Sequence, residues 1–358
     1  MNRCLIFWSA AVVAVSCPSL RADPVSEGAW TMVVIPDTQY YARKDEDAPI
    51  FTAMTEWIAA NREERNIRLV LHVGDIVNDN EARQWEHAKQ SLSVLDGELP
   101  YVLAVGNHDL GRNAGSRETM LNEYFSLSDN RCNQRIFGGF FEQGALENAW
   151  YRLRHGKWDL LVFSLEFGPR KSVVDWANEV AARHGELPKV LVADEFIDQE
   201  STFSTADGRP RRTTTSTTNN PHKYGIAREA EVHCGEELWD AFVSRHPGFR
   251  LVVNGHYKPF EKVADGTPRH LRDLASVHRS DPGADGQEVL QMLFNAQWCP
   301  RGGDGWLRLL EFQPDGRTVQ VRTFSPHLAA TAGEPSSAWR RTPDCEFRFQ
   351  WGESLVSD

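Results

Sequence analysis

The sequence predicts an α/β fold built on parallel strands and closed near its C-terminal end by antiparallel ones. Two observations carry this. Short apolar strands alternate with amphipathic helices after Gly28, and the first three strands run out into polar clusters, two of which open on glycine. Residues 30–35 are a β-branched run that stops at Pro36. Residues 51–65 place Phe51, Met54 and Ile58 near helical spacing. Residues 68–73 give a second strand, 81–95 a second helix and 101–105 a third strand. This alternation is the signature of parallel pairing. Strands at 158–165, 189–193 and 250–254 continue the series, separated by helices at about 172–184 and 236–245. Residues 289–296, 305–312 and 318–324 read as strands joined by turns such as Pro314-Asp315-Gly316, the closing antiparallel sheet.

Two regions break the rhythm. Residues 197–231 lack periodicity and hold Arg209-Pro210-Arg211-Arg212, a threonine-rich run at 213–218 and Asn219-Asn220-Pro221. A loop this long in a compact domain is functional or disordered. Residues 262–286 are similarly polar.

Composition bounds the rest. The 358 residues are 41% hydrophobic and 25% charged, ample for a real core and unlike a disordered chain. With 39 Lys and Arg against 50 Asp and Glu, the net charge of −11 argues against gripping nucleic acid or anionic membrane by an overall field. Met1-Asn2-Arg3, an apolar run from Cys4 to Cys17 and Ala22 before Asp23 form a secretory leader pattern over residues 1–22. The expected product is periplasmic or secreted, with no membrane-spanning segment after cleavage. A lipid anchor through Cys17 is disfavoured, because Ala14-Val15-Ser16-Cys17 is a poor lipobox and Pro18 follows it. Loss of the leader removes Arg3 and Arg21 and no acidic residue, so the mature chain is more acidic still. Cys132, Cys234, Cys299 and Cys345 remain. In an exported chain they are disulfides in one of three connectivities or buried thiols, and none has metal-ligand spacing. The expected layout is a leader at 1–22, a lead-in at 23–29, one domain at 30–325 and an extension at 326–358.

The chemistry sits at the strand ends. Val33-Val34-Ile35-Pro36 leads into Asp37-Thr38-Gln39, the second strand into Gly74-Asp75, and the third into Gly106-Asn107-His108-Asp109. Strand ends of an α/β sheet lie along one edge, where ligands bind. Aspartate and amide oxygens are hard donors for divalent cations, and a bridging carboxylate can serve a two-cation clamp for phosphoryl transfer. No serine–histidine–aspartate or cysteine–histidine arrangement competes, nor does a glycine-rich phosphate loop. His72 reads as a packed, hydrogen-bonded histidine.

These clusters, with Gly255-His256, resemble the calcineurin-like metallophosphoesterase superfamily, and most closely its exported branch that opens with Pro-Asp-Thr-Gln. The resemblance extends through Leu165-Glu166-Phe167-Gly168-Pro169-Arg170, Asp175-Trp176-Ala177 and Gly303-Asp304-Gly305-Trp306, about residues 30–325. It implies a calcineurin-like two-sheet β-sandwich flanked by helices, with a two-metal site at strand ends. It also implies hydrolysis of phosphomonoesters or phosphodiesters by attack of metal-bound water. Asp37 and Gln39 match ligands of the first metal, Gln39 standing where many relatives have histidine. Asp75 matches the bridging carboxylate, and Asn107 and His256 match ligands of the second metal. His108 matches the residue that assists the leaving oxygen, with Asp109 able to orient its ring.

Two positions depart from the family pattern. Asp194 stands where a histidine is usual, and Gly255-His256-Tyr257-Lys258 replaces Gly-His-x-His. Asp194 can ligate through oxygen; a protonated Lys258 has no lone pair to offer. Three arrangements follow. Asp194 ligates while Lys258 supplies positive charge beside the phosphate; Lys258 replaces the first cation, giving a one-metal site; or the two residues pair and impair catalysis. A separation of Asp194 from Asp75 and Asn107 beyond about 8 Å, twice the two-metal spacing, would exclude it as a ligand. The oxygen-rich set favours Mn²⁺ or Mg²⁺, with iron and zinc as alternatives. His222, after Asn220-Pro221, is a candidate to reach the metal edge and replace the lost histidine. Arg209, Arg211 and Arg212 are either phosphate contacts or solvated charges. The functional expectation is a phosphoesterase acting on a small or oligomeric phosphate ester, with no stable nucleic-acid complex. The alternative is a binding protein on the same scaffold.

Overall fold

The computed structural model describes residues 24–199, 209–259 and 273–352. The leader pattern lies outside the described residues. The first three strands, β1 (Trp30–Ile35), β2 (Ile67–His72) and β3 (Tyr101–Leu103), pair in parallel. The second sheet starts with β4 (Phe137–Phe140), β5 (Ala149–His155), β6 (Trp158–Ser164) and β7 (Lys189–Val192). A short ribbon of β8 (Ile197–Asp198) and β9 (Arg211–Arg212) follows. Next come β10 (Phe249–Asn254), β11 (Ala275–Pro282) and β12 (Glu288–Asn295), and last β13 (Leu307–Phe312), β14 (Thr318–Phe324), β15 (Trp339–Arg340) and β16 (Phe347–Gln350). One sheet has the order β15-β14-β13-β1-β2-β3 with β16 also on β14; the other runs β11-β12-β10-β7-β6-β5-β4.

Alternation along the central strands explains the layers. Met32 and Val34 of β1, Leu69 and Leu71 of β2, Val190 and Val192 of β7 and Leu251 and Val253 of β10 meet between the sheets. Their neighbours Val33, Ile35 and Val70 face the opposite way, onto the Ala48–Ala60 and Ala82–Leu92 helices through Phe51, Met54, Ile58, Trp85 and Leu92. On the far side, Leu191 and Val252 pack with Val173, Ala177 and Val180 of the Lys171–Arg183 helix. Strands covered on both faces must be apolar throughout, which is why they read as unbroken runs rather than alternating ones. Each such side chain contributes roughly 1.5–3 kcal/mol of burial.

The structure departs from the sequence reading, or decides an alternative it left open, in five places. The expected closing antiparallel sheet is divided: β13 pairs with β1 and β14 lies beyond β13 in the first sheet, whereas β12 joins the second, parallel to β10. The polar stretch 262–286 contains β11, an edge strand whose outward side chains need no apolar character. β4 and β5 escape the sequence reading, since β5 alternates Arg152 and Arg154 with buried residues. The four cysteines are unpaired thiols, with Cys234, Cys299 and Cys345 buried, so the disulfide alternative is not realised among the described residues. Residues 339–350 extend the first sheet through β15 and β16.

Candidate metal centre

Six strands end at one edge of the sandwich. From the first sheet β1 leads to Asp37 and Gln39, β2 to Asp75 and β3 to Asn107; from the second β7 leads to Asp194, β10 to His256 and β12 to Asn295 and Gln297. The backbone there is forced into uncommon shapes. Asp75 has φ +48° and His256 φ +69°, left-handed conformations that cost side-chain-bearing residues about 1–3 kcal/mol and cluster at functional sites. Gly255 lets Asp37 come in: a Cβ there would lie 1.9 Å from Asp37 Oδ1.

Ligand atoms of Asp75, Asp194 and His256 all lie within 4.8 Å of one another, so Asp194 is inside the limit of about 8 Å with respect to Asp75. Asp75 receives the His108 amide on Oδ1 and Gln39 Nε2 on Oδ2, each at 3.0 Å. Asp37 Oδ2 accepts from Asn295 Nδ2 at 2.7 Å, from the His256 amide at 3.0 Å and from Gln297 Nε2 at 3.4 Å. Gln39 also donates to Gln297 Oε1, and Asn107 Nδ2 donates to Asn113. The amide nitrogens are therefore fixed and the amide oxygens are not used. Gln39 Oε1, Asn107 Oδ1, both oxygens of Asp194 and His256 Nδ1 are buried without a hydrogen-bond partner. His256 Nε2 is held by the Asn219 carbonyl at 2.9 Å, which makes it the protonated nitrogen and leaves the lone pair on Nδ1, 3.2 Å from Asp194 Oδ2. Buried polar atoms left without partners cost about 1–3 kcal/mol each, and this group could recover that cost by holding cations.

The charges agree. Burial, with Asp75 and Asp194 beside it, raises the pKa of Asp37; burial, with Asp75 and Asp109 nearby, raises that of Asp194. Divalent cations held here would offset this crowding and favour the ionised carboxylates.

The remaining candidates fall as follows. His108 is half-buried and its Nδ1 meets the Asn78 carbonyl at 2.6 Å. Asp109 does not hold that ring. Its carboxylate accepts the amides of Ile76, Val77 and Gly106, at 3.2, 2.9 and 2.8 Å, and so clasps the turn carrying Asp75 to the one carrying Asn107. Lys258 is exposed, while the fully buried Asp194 faces Asp75 and His256. His222 is not in this cluster: its Nε2 lies 2.6 Å from Glu237 Oε2. Arg212 stacks on Trp239 and pairs with Asp281, away from the centre.

Residues 31–258, well over half of the chain, match the family model of the calcineurin-like phosphoesterases. The chain belongs to that family. It is 30% identical over 308 residues to the uncharacterized protein YvnB of Bacillus subtilis (strain 168), a match that takes in 85% of this chain and 20% of that protein. The chain thus spans about one fifth of this curated relative's length. Among solved structures it is similar to the purple acid phosphatase PPD1 of yellow lupin (Lupinus luteus), at 13% identity and a TM-score of 0.46 over 85% of this chain and 52% of that one. It is also similar to the 5'-nucleotidase precursor of Thermus thermophilus, at 15% identity and a TM-score of 0.40 over 82% of this chain and 54% of that one. No helix among the described residues is long and apolar enough to cross a membrane.

In this calcineurin-like phosphoesterase the sequence reading missed Asn295 and Gln297. The signal was present: an apolar strand ending in Asn-Ala-Gln follows the rule that located the other clusters. His72 is the packed histidine expected. It accepts from the Gly74 amide on Nδ1 and meets Thr38 Oγ1 through Nε2, and burial depresses its pKa to about 3. An unfolded chain takes up this proton near pH 6.5 and the folded one does not, so stability falls as pH drops below about 6.5. His72→Gln removes that share. Between about pH 6.5 and 4.5 the wild type is expected to lose on the order of 2–3 kcal/mol more than the variant in urea titrations. Parallel stability curves would refute this.

Proposed function

We propose that the protein is an exported metal-dependent phosphoesterase that hydrolyses a phosphomonoester or phosphodiester. The observation that carries this reading is the convergence of partnerless oxygen and nitrogen atoms around Asp75. Asp75, Asn107, Asp194 and His256 would hold one cation, and Asp37, Gln39 and Asp75 the other. The predominance of oxygen donors favours Mn²⁺ or Mg²⁺. Such cations supply Lewis acidity, polarising a phosphoryl oxygen and making water nucleophilic near neutral pH. Export rests on the leader pattern of residues 1–22.

The chain's own groups do the rest. The Asn78 carbonyl accepts from Nδ1–H of His108, so the ring would deliver the Nε2 proton to the departing oxygen from its doubly protonated, imidazolium form. Asp109 fixes the spacing of the two turns that carry Asp75 and Asn107. Asn219 orients His256, and Asn295 with Gln297 orients Asp37.

The test is hydrolysis of nitrophenyl and alkyl phosphate mono- and diesters by chelator-treated protein, with Mn²⁺, Mg²⁺ or Zn²⁺ restored singly. Activity should return with Mn²⁺ or Mg²⁺. His108→Ala should lose about 10²–10⁴-fold in kcat on alkyl esters and far less on nitrophenyl esters, whose leaving group departs without a proton. The alternative of a phosphate-binding protein draws on Asp37, whose Oδ2 is already occupied by amides of Asn295 and Gln297. Cation-dependent phosphate binding without turnover, equal in wild type and His108→Ala, would favour it.

A further inference from the structure

A second group of ligand atoms lies outside the centre described above. His222, Cys234 and Glu237 each place one ligand atom within 4.8 Å of the other two. They are of three kinds: imidazole, thiol and carboxylate. Cys234 is buried, and the His222 and Glu237 side chains are 29% and 39% exposed, which leaves a solvent-facing side. The positions are fixed by the backbone. Cys234 caps the Gly235–Ala241 helix, its sulfur taking the Glu237 amide, while Glu237 Oε2 accepts from the Cys234 amide at 2.9 Å. His222 is set by its own amide, which donates to Asn220 Oδ1 at 2.9 Å.

We propose that His222, Cys234 and Glu237 form a second cation site, selective for zinc, that clips the 213–222 segment to the start of the Gly235–Ala241 helix. One nitrogen, one sulfur and one oxygen around a solvent-facing position match a four-coordinate zinc that keeps one water. The thiolate sets this site apart from the oxygen-rich centre, since soft sulfur selects zinc over Mg²⁺ and Mn²⁺. As the cation enters, the thiol proton passes to solvent, and the proton between His222 Nε2 and Glu237 leaves that nitrogen so that the neutral ring carries its proton on Nδ1. Both the freed Nε2 and the Glu237 oxygen turn to the metal.

The segment so clipped has a purpose at the other site. Its first residue, Thr213, accepts from the Gly235 amide at 2.8 Å, and its last, His222, meets Glu237. Between them Asn219 offers the carbonyl that fixes the tautomer of His256. The clip therefore holds the His222 end of the loop that orients a ligand of the centre, and the Thr213–Gly235 hydrogen bond holds the other.

The thiolate band of bound cobalt distinguishes this site from the other, which contains no sulfur. Full-length protein stripped of metal and titrated with Co²⁺ should develop near-ultraviolet thiolate-to-cobalt charge-transfer absorption. That absorption should persist in Asp75→Asn and disappear in Cys234→Ser, whose hydroxyl keeps the helix cap and hence the fold. Zinc-reconstituted Cys234→Ser and His222→Ala should each carry about one equivalent less zinc than wild type. Wild type without the absorption, or Cys234→Ser retaining it, would overturn the proposal. Neither outcome depends on whether the protein hydrolyses a phosphate ester.

Discussion

Replacing Asp75 by asparagine is expected to abolish hydrolysis, by about 10³-fold or more, and to make the metal-free protein more heat-stable. Asp75 contributes to both proposed cation seats, so its loss removes several kcal/mol of charge stabilisation, and each 1.4 kcal/mol or so is a factor of ten in rate. The stability gain has a separate cause. Asp75 is the neighbouring charge that most raises the pKa values of the buried Asp37, Asp109 and Asp194. Removing it relieves their repulsion, which the wild type tolerates for the sake of its site. Calorimetry with and without Mn²⁺ separates the two effects. The metal-free variant should melt above metal-free wild type, and added Mn²⁺ should no longer raise its melting temperature. A variant that melts lower in both conditions would show that Asp75 is held by its hydrogen bonds and not by cations.

Gly106→Ala should be as damaging to stability as Asp75→Asn is to activity. A Cβ at Gly106 would lie 2.2 Å from Asp75 Oδ1 and 2.3 Å from the Asp75 amide nitrogen. Neither partner can retreat. The Asp75 carbonyl is held by the Thr38 amide at 3.1 Å, and Asp109 clasps Gly106 to Ile76 and Val77. Overpacking ordinarily costs about 1–3 kcal/mol, and here the obstacle is backbone, so a loss of about 3 kcal/mol or more is expected. Urea midpoints measure it, with Gly333→Ala as control, since a Cβ there meets nothing within 4 Å. A Gly106→Ala midpoint equal to that of the control would contradict the close approach.

The strand ends are legible because the physics there is local. An apolar run that must be buried on both faces, followed at once by glycine and a hard oxygen donor, has few other uses, and Asp37, Asp75 and Asn107 announce themselves that way. Asp194 and His256 become legible only through the family pattern, since one aspartate after a strand is ordinarily a turn. What escapes is long-range. Asn295 meets Asp37 across 258 positions of sequence. The pairing of His222 with Glu237 depends on a loop whose course no periodicity describes. For the same reason the sequence pairs Asp109 with the His108 ring: adjacency suggests a partner that the fold supplies from Asn78 instead.

The centre draws Asp37, Asp75 and Asn107 from one sheet and Asp194 and His256 from the other. Elsewhere the two sheets meet through side chains such as Val34, Leu71, Val192 and Val253, a contact that resists separation but permits sliding. Ligands contributed from both sides would act as a rivet through two plates. A bound cation would fix their lateral registration, and any force that shears one sheet over the other would first have to break coordination bonds. The atoms proposed to hold the cations would thus also set how rigidly the halves of the molecule are joined.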